Sequence, residues 1–254
     1  MELETQLKIL KSRIEPLERF IHAFAESLSK PLFYDSGKQH YGFRFGKPDM
    51  RHFCLLKGIR AVSALNAAIE LVRAGYTQEL FVLLRTAEEF RTRIEFVLSA
   101  RDESGKLGPD AERHIQEYFS DFARNDVSDF KRLRLRQGAV NASVGAMLDS
   151  GAQKLDGTAE FTNVDPAKLL SNLYSTFSNF VHARYPEVMD LYGGDPLHFH
   201  LSGMRGTPKD GENYAVLDSS ITSTSLTFKL LAQKLNMREI IQADATLTAW
   251  VRED

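Results

Sequence analysis

The stretch FCLLKGIRAVSALNAAIELVRAGYTQELFVLLRTAEEFRTRIEFVLS, residues 53–99, decides the fold of this chain. Apolar residues recur every three or four positions on both sides of Gly75, which is the spacing of an amphipathic helix. Gly75 stands where a left-handed residue ends a helix, and Thr77 is placed to cap the next one. The stretch therefore predicts two long antiparallel helices, 53–74 and 78–100, joined by a tight turn.

The same spacing continues outward from this hairpin in both directions. Pro16 is expected to kink or break the N-terminal helix, and a second break is expected near Asn236. Asp165 and Pro166 form an N-cap followed by a proline at the first helical position. The predicted helices are 2–30, 111–124, 139–155 (weakened by glycines), 167–185 and 214–252.

Two segments depart from helical spacing. Residues 40–46 alternate like a short strand or hairpin arm, and this aromatic segment is expected to pack over the bundle. Residues 193–212 contain five glycines and two prolines, which predicts a long irregular loop of the kind that often has a function. The expected fold class is all-α: a single domain, 1–254, with a helical bundle built on the hairpin and at most a small β excursion.

Composition limits the function. The chain has 254 residues, of which 43% are hydrophobic, so it can bury a core and is not disordered. A net charge of −2 gives no general attraction to nucleic acid, so any such role must be local. The lone Cys54 excludes a disulfide framework and agrees with a reducing compartment. With no signal peptide and no apolar run of membrane-spanning length, we expect a cytoplasmic protein without membrane association.

No complete catalytic or cofactor motif is present: the sequence lacks a P-loop, GxGxxG, HExxH, GxSxG and CxxC. We therefore predict no cofactor. His198 and His200 would project the same way from an extended loop, with Asp195 and His182 as the nearest further ligands. Two histidines are too few for a metal centre, so no metal site is predicted.

Arg85 is the first candidate site residue. It follows the apolar run Phe81–Leu84, which we expect to be buried on every side. A guanidinium is not buried without a partner, and Glu88 and Glu89 stand one turn further along. Two interpretations remain open: an ion pair that fixes helix register, or the positively charged wall of an internal site.

His182 is the second candidate, near the end of the predicted helix 167–185. Small neighbours on its face would let another helix approach closely, so we expect His182 in a confined polar groove, within one buried pocket shared with Arg85. There it would be a structurally bonded histidine or a general acid/base, since an imidazole titrates near neutral pH. The polar face consists of Ser171, Ser175, Ser178, Asn179 and His182.

The densest basic run in the sequence follows the helix predicted over 111–124. It is a solvated surface or a phosphate contact. Its members are Lys131, Arg132, Arg134 and Arg136.

Residues 65–89, LNAAIELVRAGYTQELFVLLRTAEE, followed much later by Phe177–Ala183, FSNFVHA, resemble uncharacterised prokaryotic all-α families grouped as HEPN-like. The loose match covers about residues 50–190. The resemblance implies a helical bundle, often dimeric, with an arginine and a histidine near its centre. Many HEPN proteins are metal-independent ribonucleases of toxin or phage-defence systems, with the Arg and His one to two turns apart on one helix.

Two functions follow from the resemblance. No arginine stands five to seven residues before His182, where the motif requires one. This favours a non-catalytic binding or regulatory module, in a prokaryotic defence or toxin–antitoxin setting, with RNA or protein as the partner. The alternative is a ribonuclease with His182 as acid/base and Arg85 as the phosphate-stabilising cation. We also expect a homodimer, formed through segment 33–46 or loop 193–212.

Overall fold

The structure is a computed structural model, and it describes residues 2–35, 41–120, 140–146, 166–192 and 198–242. The all-α fold class is confirmed: long helices dominate, and the sheet is one small antiparallel hairpin. Residues 140–146 are also helical, and Asp190–Tyr192 form a 3-10 turn. The other elements are α1 (Leu3–Glu26), β1 (Leu32–Asp35), β2 (Tyr41–Arg44), α2 (Met50–Ala74), α3 (Thr77–Ser99), α4 (Pro109–Ser120), α5 (Pro166–Val181), α6 (Tyr185–Met189), α7 (Lys209–Lys234) and α8 (Arg238–Gln242).

The turn between α2 and α3 confirms the predicted left-handed glycine. Gly75 has φ 78°, and its carbonyl accepts a 2.7 Å hydrogen bond from the backbone N–H of Met204. A Cβ at Gly75 would lie 2.4 Å from the backbone nitrogen of Arg205, and one at Gly203 would lie 2.2 Å from the carbonyl oxygen of Ala74. The loop before α7 therefore docks backbone to backbone on the α2–α3 turn, and its glycines permit that approach.

Helix α2 begins earlier than its apolar spacing suggests. Asp49 caps it: its carboxylate accepts from the backbone N–H groups of Arg51 and His52, and the His52 ring closes a capping box. Burial raises the pKa of Asp49, but the hydrogen bonds from His52 outweigh it, so the pKa lies below its usual value. This cap fixes the start of the central helix of the bundle.

Helices α1 and α7 approach α2 closely at Gly58. A Cβ there would lie 2.7 Å from Cδ1 of Ile21 on α1 and 3.3 Å from the ring of Phe228 on α7. A polar network crosses the same interface, where Lys11 of α1 donates to Asn66 of α2 at 2.6 Å and Asn66 donates to Glu18 at 2.7 Å. Buried apolar side chains of the long helices form one contiguous cluster.

The N-terminal helix ends at Glu26 instead of residue 30, and a break at Pro16 is wrong, since one helix runs through this residue. The helix continues through the proline because Ile14 and Leu17 on either side are fully buried in the bundle. Their burial outweighs the roughly 3 kcal/mol that an interior proline costs.

The expectation that Thr77 caps α3 is also wrong. The N-cap is Tyr76, which makes no side-chain capping bond, and Thr77 is the first helical residue. The Thr77 hydroxyl instead accepts a 3.0 Å hydrogen bond from the side-chain amide of Asn213 on α7, and both residues are buried. A tertiary partner has replaced the local cap.

Two further boundaries differ. Helix α5 ends at Val181 instead of residue 185, because Ala183 is left-handed with φ 45° and the N–H of Arg184 bonds the carbonyl of Asn179 at 3.1 Å. Helix α7 begins at Lys209, so the predicted loop 193–212 is too long at its end and the predicted helix 214–252 starts too late. The break expected near Asn236 is confirmed, with φ 53° at that residue.

The short strand predicted over residues 40–46 is strand β2, one of the two strands of a hairpin. Strands β1 and β2 pair antiparallel with Phe33 opposite Phe43, whose rings meet edge-on at 5.6 Å. These side chains are 61% and 66% exposed, so the expected packing of segment 40–46 over the bundle is wrong for Phe43. Phe45, just after β2, does contact the bundle, with its ring 4.4 Å from that of His52.

The Gly75 turn predicts a specific loss of stability. Gly75→Ala should lower the free energy of unfolding by about 2 kcal/mol or more, because the alanine would occupy a left-handed conformation and meet the backbone of residues 204–205. Gly211→Ala is the matched control, since nothing lies within 4 Å of a Cβ there and alanine favours the helix by about 0.5–1 kcal/mol. Urea unfolding followed by circular dichroism measures both, and equal effects would contradict the argument.

Candidate functional site

The site residues lie where α5 crosses α3 in the opposite direction. The ring of Phe81 on α3 stacks on Phe180 of α5, with centroids 4.1 Å apart, and lies 5.7 Å from Phe177. About one turn further along α3, Arg85 faces Tyr174 of α5. The aromatic contacts therefore hold the two helices in the register that brings Arg85 to a tyrosine.

Arg85 is paired, as expected, with one of its two predicted partners. Its Nη2 lies 2.9 Å from Oε1 of Glu89 and donates to the hydroxyl of Tyr174 at 2.5 Å. The guanidinium carbon lies 4.8 Å from the centre of the Tyr174 ring, and the side chain is 20% exposed. Nε of Arg85 is buried and has no hydrogen-bond acceptor in the part of the chain that the structure describes. Arg85 thus keeps an unused donor beside its ion pair.

Glu88 does not pair with Arg85; it binds Arg91, a residue that the sequence analysis missed. Arg91 lies between Glu88 and Glu95, with hydrogen bonds to both, and Thr227 of α7 also donates to Glu95. The side chains of Arg91, Glu88 and Glu95 are 8%, 11% and 5% exposed. The sequence does contain a signal for this triad. An arginine with a carboxylate one turn before it and another one turn after it, among apolar neighbours, predicts such a pairing.

Attraction to Glu88 and Glu95 holds Arg91 in its charged form. Burial alone would lower the pKa of Arg91, but Glu88 and Glu95 raise it well above its usual value. Burial raises the pKa of Glu95, and Arg91 and Thr227 offset only part of that effect. The triad lies against α7, so it fixes the packing of α3 on α7 and is not an open site.

A second group of charges faces the other side of α3. We call Lys57, Arg85 and Arg93 the cationic cluster; Glu89 lies among them and interacts electrostatically with both Lys57 and Arg93. Burial lowers the pKa of Arg93, and Glu89 offsets only part of this. Three cations around one carboxylate leave the cluster with an excess of positive charge among these four side chains.

Lys57 sits inside an aromatic cage. Its ammonium nitrogen lies 4.1 Å from the ring centre of Tyr118, 5.3 Å from that of Phe53 and 5.4 Å from that of Phe90. Burial, reinforced by repulsion from Arg93, lowers the pKa of Lys57 to about 8. Within the described part of the chain, no hydrogen bond or ion pair is made by this ammonium group.

His114 of α4 borders the cage, with its ring edge-on to that of Phe53 at 5.4 Å. Burial, together with the positive charges of Arg93 and Lys57, lowers its pKa to about 4. His114 is therefore neutral at physiological pH and adds no charge to the cluster. Sequence reasoning missed Lys57, Arg93 and His114 because they belong to three different helices.

The expectation that His182 occupies a confined groove is wrong. Since α5 ends at Val181, His182 lies in the following turn and its side chain is exposed. Ser178 contributes its backbone carbonyl, which accepts from the N–H of His182 at 3.1 Å. The Asn179 carbonyl likewise accepts a hydrogen bond from the N–H of Arg184. The observed hydrogen bonds of Ser178 and Asn179 in this turn are therefore made by their backbone carbonyls and do not involve the imidazole.

Arg85 and His182 consequently do not share a pocket. The partner of Arg85 on α5 is Tyr174, and eight residues separate Tyr174 from His182, or about 12 Å along a helix. Between them lies the stack of Phe81 on Phe180. The predicted shared pocket is therefore wrong, and the catalytic roles assigned to Arg85 and His182 stay predictions.

The remaining sequence candidates fall in three groups. Lys131, Arg132, Arg134 and Arg136 lie outside the described residues, as does Asp195. His198 is exposed and His200 half-buried, and within the described ranges no three His, Cys, Asp or Glu side chains are close enough to hold a metal ion. Cys54 is fully buried, and burial raises its pKa to about 12, so its thiol is unreactive.

Open clefts also occur among the described residues, and two of them differ in size and lining. The larger, about 540 Å³, is mainly apolar and lies between α2, α3, α5 and α6, with Leu71, Val82 and Phe180 among its lining residues. Val82 is 38% exposed there, so the run Phe81–Leu84 is not buried on every side as expected. The smaller, about 330 Å³, surrounds Lys209, which is ion-paired to Asp190 and Glu212.

Comparisons with protein-family models, with curated proteins and with solved structures found no match to this chain. The resemblance to HEPN-like families therefore stays a prediction. Among the described residues, no helix has the combination of length and apolar composition that a membrane span requires.

The two arginine networks predict unequal losses of stability. Arg91→Ala should lower the free energy of unfolding by about 3–5 kcal/mol, because it leaves buried carboxylates unpaired. Arg85→Ala should cost about 1 kcal/mol, since Arg85 and Glu89 are partly exposed to water. Urea unfolding of both variants measures the difference.

A pH series checks the cause. The deficit of Arg91→Ala should shrink as the pH falls, because the Glu95 carboxyl, whose pKa burial already raises, then binds a proton and loses its unpaired charge. Equal losses in the two variants, or a deficit that does not change with pH, would contradict this assignment.

Proposed function

We propose that this protein is a non-catalytic, HEPN-like binding module that binds RNA through the phosphate backbone at the cationic cluster. The observation that carries the proposal is the arrangement of Lys57, Arg85 and Arg93 around the single carboxylate of Glu89, between α2, α3 and α5. The resemblance to HEPN-like families points to a regulatory role in prokaryotic defence or toxin–antitoxin systems.

The charge and geometry of the cluster support an anionic ligand. Positive charges held close together at a partly buried site repel one another, and a bound phosphate would relieve that repulsion. The Arg85 side chain is 20% exposed, and its guanidinium is already oriented by Glu89 and Tyr174. A preoriented guanidinium suits phosphate recognition, because little side-chain freedom remains to be lost on binding.

The alternative, a metal-independent ribonuclease, requires Arg85 and His182 to act on one phosphate. A general acid/base must reach the proton that it transfers, within about 3 Å or through one water. His182 is exposed in the turn after α5, two helical turns beyond the tyrosine that holds Arg85. This separation is why we propose binding without cleavage.

RNA binding should depend on the cluster. Arg85→Gln and Arg93→Gln should each weaken binding of a labelled single-stranded RNA about tenfold, or about 1.4 kcal/mol, and reduce its salt dependence by about one phosphate contact. Arg73→Gln is the matched control, because Arg73 is ion-paired at the end of α2, outside the cluster. Fluorescence anisotropy at several salt concentrations measures all of them.

Three results would contradict the proposal. The first is an absence of RNA binding by the wild-type chain, and the second is an equal affinity of the cluster variants and Arg73→Gln. The third is cleavage of the RNA that resists a chelator and disappears in His182→Ala, which would establish the ribonuclease instead. Binding of an acidic protein in place of RNA would leave the cluster as the site but change the partner.

We further propose that the protein is a homodimer formed through the β1–β2 hairpin. Leu32, Phe33 and Phe43 are each more than 60% exposed, and Tyr34 is 47% exposed. Phe33 and Phe43 pair on one face of the hairpin, and Leu32 and Tyr34 alternate to the other face, so both faces expose apolar side chains. Exposed apolar groups of this kind are typical of an interaction surface. The pairing common among HEPN-like bundles supports a second copy of the chain as the occupant.

Self-association should therefore depend on the hairpin. The double variant Phe33→Ser/Phe43→Ser should sediment as a monomer at micromolar concentration, because the apolar pair that would be buried is gone. Leu226→Ser is the control, since Leu226 is 59% exposed but lies on α7. A monomeric wild-type chain, or a dimer that the double variant leaves intact, would rule out this interface.

A further inference from the structure

The cage around Lys57 has a chemical consequence besides charge. An amine is nucleophilic only when neutral, and a lysine becomes neutral at moderate pH when water is removed from it and no carboxylate holds its proton. Phe53 and Phe90 on α2 and α3 and Tyr118 on α4 take the place of water around the Lys57 nitrogen. The cage thus supplies the apolar setting in which lysines form imines.

The charged neighbours of Lys57 act in the same direction on balance. Arg93 of α3 repels the ammonium form. Arg60 of α2 lies over the Phe90 ring, with its guanidinium carbon 5.7 Å from the ring centre. Glu89 favours the ammonium form, but its carboxylate is bonded to Arg85 at 2.9 Å. His114 of α4 is neutral because its own pKa is low.

We propose that Lys57 is a reactive amine that forms an imine with small carbonyl compounds, favouring those that carry an anionic group. The Lys57 side chain is half-buried, so part of it keeps contact with solvent. The neutral nitrogen attacks the carbonyl carbon, a proton moves from nitrogen to oxygen, and loss of one water leaves the C=N bond. No oxidant or reductant takes part. Arg93 supplies the preference for an anionic carbonyl compound.

The proposal does not rest on RNA binding. The pKa of about 8 means that roughly half of the Lys57 amine is neutral near pH 8, whereas an amine of pKa about 10.4 is less than about 1% neutral there. A cage that merely stabilised a permanently charged lysine through cation–π contacts would give no such reactivity. Site-specific reactivity therefore separates the two roles.

The probe is glyoxylate, a small aldehyde with one carboxylate, used at limiting concentration with cyanoborohydride, which reduces the imine to a stable carboxymethyl-lysine. Peptide mass spectrometry then gives the rate at each lysine of the folded chain. Near pH 8, Lys57 should react about tenfold or more faster than Lys8, an exposed lysine on α1. The Lys57 rate should level off above about pH 8, where its amine is already neutral.

Two variants make the test specific. Lys57→Arg keeps a cation in the cage and should remove the fast site while leaving the rate at Lys8 unchanged. Arg93→Gln should slow the reaction of Lys57 several-fold near pH 8. It removes the repulsion that disfavours the ammonium form, and it takes away a cation that shares the Glu89 carboxylate with Lys57. Arg73→Gln should leave the rate at Lys57 unchanged. Equal rates at Lys57 and Lys8, or a Lys57 rate that keeps rising to pH 10 and above, would overturn the proposal. Loss of RNA binding with this reactivity intact would refute only the proposed function.

Discussion

The backbone hydrogen bond from Met204 to Gly75 joins the two parts of the bundle on which the rest depends. Helices α2 and α3 turn at Gly75, and the loop that leads into α7 lies directly against that turn, close enough that Gly75 and Gly203 admit no side chain. The start of α7 is thereby fixed beside the start of α3, where Asn213 donates to Thr77. From this point α7 runs along α3 and reaches the charged triad of Arg91 with Thr227.

Helix α3 carries two charged faces with opposite characters. On the face toward α7, Arg91 is matched by two carboxylates and the charges are almost fully buried. On the face toward α2, α4 and α5, the cations Arg85, Arg93 and Lys57 all interact with one carboxylate, that of Glu89. Among these four side chains, positive charges outnumber negative ones. A cluster in which cations outnumber carboxylates is a candidate site for an anionic ligand. This contrast is the physical basis for placing the candidate site on the second face.

The proposed anion site and the proposed reactive amine are coupled through Lys57. An anion bound beside Lys57 would attract its ammonium form and raise its pKa, so it would slow imine formation. An imine at Lys57 would in turn alter the charge that an anionic ligand meets. Such mutual effects between two ligands must be equal in free energy. RNA and a small carbonyl compound would therefore compete for one cluster even though they use different chemistry.

The sequence by itself determined the helical class, the α2–α3 hairpin with its left-handed Gly75, the pairing of Arg85 with a glutamate one turn further on and the break near Asn236, since each depends on spacing or on neighbours within one turn. The structure decided that this glutamate is Glu89, because Glu88 binds Arg91. It did not determine the continuity of α1 through Pro16, the partner of Thr77 or the exposure of His182, because these depend on contacts with distant segments. The cationic cluster is of the same kind. Lys57, Arg93 and His114 come from three helices, and only the packing of α2, α3 and α4 brings them together. Local rules fix periodicity and caps, but burial and the sharing of charge are properties of the assembled core.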